Sequence, residues 1–317
     1  SSDISTGFAV FSGPPAGLEF IAQPSDAGVG QTIAPPVIVR VVDAFGFTVT
    51  SDNSSELSLA LVGGTPGALL SGGGPVTVSA GLASFAGLSV DQVGLAYQLA
   101  PSGVPGALSG PNSASFAITS VGSGTSISSV NPAGSQTVGQ PYTVTVQVSG
   151  FNPTGTVTVT DGSDASCDIV LPAISCDLTS TSVGPKTLTA NYPGDANNNP
   201  SSATASYSIT QAAASLSIDA VDPGAQQAVN TPVTVTVSVT GFNPSGTVTI
   251  DDGDGSSCLI VLPADSCDLT STTVGPKTIT ASYPGDSNNT ADSDSTAYAI
   301  VAGAPASLSF STQPVNG

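Results

Sequence analysis

A 46-residue segment occurs twice in the chain, 91 positions apart. Residues 150–195 read GFNPTGTVTVTDGSDASCDIVLPAISCDLTSTSVGPKTLTANYPGD, and residues 241–286 read GFNPSGTVTIDDGDGSSCLIVLPADSCDLTSTTVGPKTITASYPGD. The register holds at both cysteines of each copy and at YPGD. It extends upstream, where SISSVNP (126–132) faces SIDAVDP (217–223). Two sister domains therefore fill 121–211 and 212–303, and each must close a core of its own.

Within the sisters the side chains alternate with period two. Val144, Val146 and Val148 fall on one face of YTVTVQVSG, with Thr143, Thr145 and Gln147 on the other; Val233, Val235, Val237 and Val239 repeat the pattern. One face is buried and the other wet. Such runs recur every 10–15 residues, separated by FNPTG, DGSD, LPA, VGP and YPGD, which predicts a seven-strand sandwich of immunoglobulin-like size. Residues 14–120 hold no cysteine but show similar runs (LEFIAQP, PPVIVRVVDAFGFTV, SELSLALVGG, PVTVSAGLASFAGLSV, LAYQLAPSG). They are read as a sandwich of a second type.

Composition agrees with an all-β chain. There is no Met, Trp or His, glutamate occurs only at Glu19 and Glu56, and 36 Gly and 25 Pro punctuate the β-branched runs. The net charge of −19, from 22 acids against three bases (Arg40, Lys186, Lys277), excludes nucleic acid as a natural partner. It also argues against an anionic membrane surface. No apolar run is long enough for a membrane span.

A longer repeat shows at the two ends. FAVFSGPPAGLEFIAQP (8–24) aligns with YAIVAGAPASLSFSTQP (298–314) at an offset of 290. We expect 1–13 to be the last strand of a preceding or neighbouring domain and 304–317 the first strand of a following one. The parent polypeptide would then repeat a three-domain block. The alternative is a subunit that joins copies of itself by strand addition. Under either reading its partners are copies of itself or adjacent repeats.

The sister segments resemble the bacterial Ig-like repeat domains of large secreted and surface-attached proteins, through the GTVTVTDG strand, the mid-domain cysteine pair and the closing LTANYPGD. LEFIAQPSDAGVGQTIAPPVIVRVVDAFGFTVT, with its QP, DAFG and later FAGLSV, resembles a second Ig-like type from the same proteins. The resemblance implies secretion, β-sandwiches, and a spacer or adhesin role. It supplies no catalytic residues.

Each sister carries C-x8-C: Cys167 and Cys176, Cys258 and Cys267. Folded about Leu-Pro-Ala, each pair would face across a hairpin within disulfide reach. A metal site with two thiolates and no His, or a reduced pair, is the alternative. The implied secretion favours the disulfide.

Asp195 and Asp286, in YPGD, could hold a cation with Asn197 or Asn288, and DDGDG (251–255) has a faint likeness to a Ca²⁺ loop without its closing Glu. Asx-stabilised turns account for the same residues. No cofactor is expected, with Ca²⁺ as the one candidate. Lys186 and Lys277 follow turns and are expected to be solvated; an isopeptide bond is the competing reading.

With no His to activate a Ser or Thr, and with acids in repeated turns, we expect no enzyme. The expected role is a structural unit of a long extracellular bacterial fibre or stalk. Its linkers (SVGSGTS, ITQAAAS, IVAGAPAS) look short enough for neighbouring domains to touch. An adhesin binding a glycan or a protein through its loops is the alternative. Phe45, Phe47 and Tyr97 are the aromatic candidates for that, and are read as core or linker packing.

Overall fold

The computed structural model describes residues 12–305 and 307. The expected terminal strands lie almost wholly outside them. The described residues are all β and form three sandwiches with three separate cores.

In the second sandwich, Gly124–Asn131, Tyr142–Ser149 and Ser175–Leu178 form a three-stranded antiparallel sheet. The facing five-stranded sheet runs in the order Ser135–Thr137, Ser201–Thr210, Gly184–Tyr192, Thr156–Thr160, Ser166–Val170. Only its first pair is parallel. The third sandwich repeats this plan strand for strand. The first shares it in outline: Gly17–Ala22, Val37–Val42 and Leu82–Phe85 form the three-stranded sheet. In its other sheet the short Ala27–Gly28 pairs in parallel with Phe116–Thr119.

The alternating valines do what their period dictates. Val144, Val146, Val157 and Val159 are buried, as are Val233, Val235, Val237 and Val248. Each full burial contributes on the order of 1.5–3 kcal/mol. Tyr207 and Tyr298 reach from the last strands to donate hydrogen bonds to the carbonyls of Pro132 (2.8 Å) and Pro223 (2.6 Å).

Those prolines mark the first departure from expectation: each sister has eight strands rather than seven. The opening strand breaks at Asn131-Pro132-Ala133-Gly134, and its second half, Ser135–Thr137, crosses to the opposite sheet. Pro supplies no N–H for the first ladder, so the break costs no backbone hydrogen bond there. In the first domain PPVIVRVVDAFGFTV is not one strand. It stops at Val42, where Asp43 Oδ1 accepts hydrogen bonds from the N–H groups of Phe45 (2.9 Å) and Phe47 (3.0 Å) and closes a turn. Phe116–Thr119 is a strand that the pattern did not single out.

The lysines also depart. Lys186 is 8% and Lys277 5% exposed, so neither is solvated. Along Gly184–Tyr192 the inward positions are Lys186, Leu188, Ala190 and Tyr192, and period two carries the lysine stem into the core. Lys186 Nζ donates to Ser163 Oγ and Ser182 Oγ, both at 2.7 Å, and lies 3.9 Å from Asp161. Lys277 Nζ pairs with Asp254 and Thr273.

Candidate functional site

The most organised polar cluster in each sister is the YPGD loop. Gly194 takes φ +85°, and a Cβ there would sit 2.6 Å from the Asn198 carbonyl oxygen, so the turn requires glycine. Asp195 Oδ1 accepts from the N–H groups of Asn197 and Asn198 and from Asn198 Nδ2, all at 2.8 Å. Its Oδ2 accepts from Thr154 N (2.7 Å) and Thr154 Oγ1 (3.0 Å). Burial alone would raise this carboxyl; the hydrogen bonds from Asn198 and from the Thr154 and Asn197 backbone outweigh it and hold Asp195 well below the usual carboxylate range. Asp286 is held low in the same way by Asn288, Asn289 and Ser245. The oxygens considered for a cation thus face N–H and O–H donors in an Asx turn.

The turn's product is a grip on a phenylalanine. Asn198 is buried, its Oδ1 accepts from Phe151 N (2.7 Å), and its Nδ2 donates to Phe151 O (3.0 Å). Asn289 holds Phe242 with the same two distances. Gly150 and Gly241 precede these rings because a Cβ at either would lie 2.2–2.3 Å from the asparagine Oδ1. Each ring is thereby aimed at the preceding domain. Phe151 packs against the first core and Phe242 against the second. Each covers a glycine: a Cβ on Gly30 would meet the Phe151 ring at 2.2 Å, and one on Gly139 the Phe242 ring at 2.3 Å.

The linker is fixed to the same loop. Val121 N donates to Asn197 O (2.9 Å) and Asn199 N to Val121 O (2.8 Å); Ala212 makes the equivalent pair with Asn288 and Thr290. Val121 also packs on the first core, and Ala212 on the second. The neighbouring domains therefore touch, through two junctions built alike. The repeated GFNP and YPGD read in the sequence as turns, with YPGD also a candidate cation loop, and neither reading links the two. The link between them, an Asn amide bridging 47 positions, left no local signal.

Both cysteine pairs are disulfides, with Cα atoms 6.1 Å apart. They do not span a hairpin. Cys167 lies on the edge strand of the five-stranded sheet, opposite Val159, and Cys176 on the edge strand of the three-stranded sheet, opposite Val144. Between them the backbone changes sheets: Leu171 N bonds Gly155 O on one side and Val146 N bonds Ile174 O on the other. The bond staples one sheet to the other at the edge of the sandwich.

A second buried cluster supports the core. Asp161 accepts from Ser180 Oγ (2.6 Å) and from the N–H groups of Ser163, Asp164 and Ala165. Burial pushes its pKa up, but these bonds bring it down to about 2. Asp252 accepts from Ser271 Oγ at the equivalent place. Of the proposed binding aromatics, Tyr97 is buried in the first core; Phe45 and Phe47 are 83% and 61% exposed and are not core residues.

Residues 128–210 and 221–302 each match bacterial Ig-like domain (group 3), together just over half of the chain. The chain belongs to this family. Tandem group 3 Ig-like domains are typical of surface proteins, and with the two disulfides they point to an extracytoplasmic protein. A search of curated proteins returned no match. Among solved structures the chain is similar to Sidekick-1 immunoglobulin domains 1–5 (10% identity, 92% of this chain, 60% of that one, TM-score 0.37). It is also similar to an ICAM-5 D1–D4 ectodomain fragment (15%, 90%, 76%, 0.36) and to fibronectin(III)-like modules of Clostridium thermocellum CbhA (13%, 56%, 94%, 0.25).

Proposed function

We propose that this chain is a non-catalytic spacer, a section of a long extracellular bacterial fibre or surface stalk that contacts copies of itself or adjacent repeats. One observation carries the reading. Both junctions are made by residues internal to the repeat: an Asn-gripped Phe, a receiving Gly, and a linker residue bonded to the same loop. Joints encoded inside the unit extend with every added unit. The acidic surface suits a crowded secreted polymer, since like-charged neighbours repel.

Electron microscopy of the native material tests this. Long unbranched rods with a domain-scale repeat are expected. Compact single particles would overturn the spacer reading. The adhesin alternative draws on the exposure of Phe45 and Phe47, and short rods ending in one distinct head would favour it.

A further inference from the structure

Each domain has a leading end, where a loop follows the second strand of the three-stranded sheet, and a receiving end. The receiving ends correspond closely. The N–H groups of Gly30, Gly139 and Asn230 donate to the carbonyls of Val90, Ser180 and Ser271 respectively. All three take positive φ: +68°, +77° and +64°. Three residues beyond each acceptor stands a valine: Val93, Val183, Val274. Val93 and Val183 are half-buried and pack on their cores, but Val274 is 57% exposed. The third domain also breaks the glycine rule. Asn230 occupies the place where, in the other two domains, a phenylalanine ring covers a glycine.

The leading ends correspond as well. Phe151 follows Tyr142–Ser149, Phe242 follows Pro232–Thr240, and Phe45 and Phe47 follow Val37–Val42. In the first domain Asp43 does the work of the asparagine. It binds the N–H groups of Phe45 and Phe47 through Oδ1, and that of Gly13 through Oδ2 at 2.9 Å. The incoming chain and the aromatic loop are thus fixed together, as Val121 and Phe151 are. Phe45 and Phe47 nevertheless stand bare, against the half-buried Phe151 and Phe242. The 290-residue repeat joins the two odd ends, because the sequence entering the first domain (8–24) recurs from within the last strand of the third onward (298–314).

We propose that the Phe45–Phe47 loop is a plug for the receiving end marked by Val274 and Asn230, and that its occupant is a second copy of this chain. The proposal rests on the spacer reading and names its third joint. Two rings flanking an asparagine replace one ring lying on a glycine, so this joint accepts only a first-type domain. The glycine-floored joints accept only a sister. Order along the fibre is set by shape at the receiving end.

The test uses the full chain, whose native cysteines are all paired among the described residues. Phe47→Cys and Val274→Cys proteins are mixed at about millimolar concentration, near the effective concentration of a tethered pair, and mildly oxidised. A Leu259→Cys protein, changed on an exposed strand away from the domain ends, replaces Val274→Cys in the control. Bonding between positions 47 and 274 should exceed the control by about tenfold or more. Wild-type chains should associate end to end in sedimentation, and the exposed double variant Phe45→Ser/Phe47→Ser should not. Equal bonding at 274 and 259 overturns the joint, as does glycan or protein binding that disappears in the double variant without any 47–274 bond. Rods in native material alongside a failed cross-link would overturn this joint and leave the spacer reading standing; absence of rods would overturn the spacer.

Discussion

The ring of Phe242 lies where a side chain on Gly139 would begin: a Cβ there would be 2.3 Å from Cδ2. The joint between the sisters is built on the absence of one carbon. Asn230, at the same place in the third domain, shows that the backbone there tolerates asparagine at positive φ. Gly139→Asn should therefore keep both sisters folded while displacing the ring. Small-angle scattering should report a broader distribution of inter-domain distances, with the melting of each domain shifted by less than about 1 kcal/mol.

Asn289→Ala removes the grip itself. It leaves the Phe242 N–H and C=O without their amide partner and takes from Asp286 Oδ1 one of three donors, the N–H groups of residues 288 and 289 remaining. Loss of about 1–3 kcal/mol from the third domain is expected in denaturant unfolding. The Phe242 ring resonances should also lose their shift dispersion, which a purely local destabilisation would not cause.

Reduction should separate the domains by stability. Opening a staple whose ends are nine positions apart costs on the order of 2–3 kcal/mol by loop entropy. Calorimetry with and without reductant should lower two transitions and leave the cysteine-free first domain unmoved. Cys258→Ser/Cys267→Ser should lower one only.

Acid should weaken the sisters in a defined window. Asp161, Asp195 and Asp286 have native pKa values below the ordinary 3.8. The unfolded chain thus binds more protons as pH falls, and stability rises with pH through that range. The contribution is complete above about pH 5, falls away below about pH 4 as the unfolded chain's carboxyls take up protons, and is gone once the native carboxyls protonate as well. A flat melting temperature from neutrality to about pH 5, then a decline, is expected by circular dichroism. Asp286→Asn should shallow the decline in the third domain alone.

The fold was legible because Val, Thr and Tyr alternate without interruption, and because the 91-residue repeat forced separate cores. Features that depend on partners across the sandwich were not legible. Nothing local says that the strand ending at Asn131 changes sheets, or that Cys167 and Cys176 lie in different ones. Lys186 follows a turn, which suggests a solvated side chain, but its register with Leu188 and Tyr192 places it inside. The junction was visible in pieces, as GFNP, YPGD and VGQ (29–31 and 138–140), but a joint is a relation between domains, and strand periodicity says nothing about it.

The short parallel pairing of Ser135–Thr137 with Ser201–Thr210 has a mechanical consequence. Tension applied through the two ends of a sister domain runs along these strands, across their hydrogen bonds. The bonds must then shear together instead of unzipping one at a time. The inter-sheet disulfide leaves a short loop that tension cannot lengthen even after the ladder yields. Each domain should therefore resist stretching abruptly and give up less length than its residue count would allow.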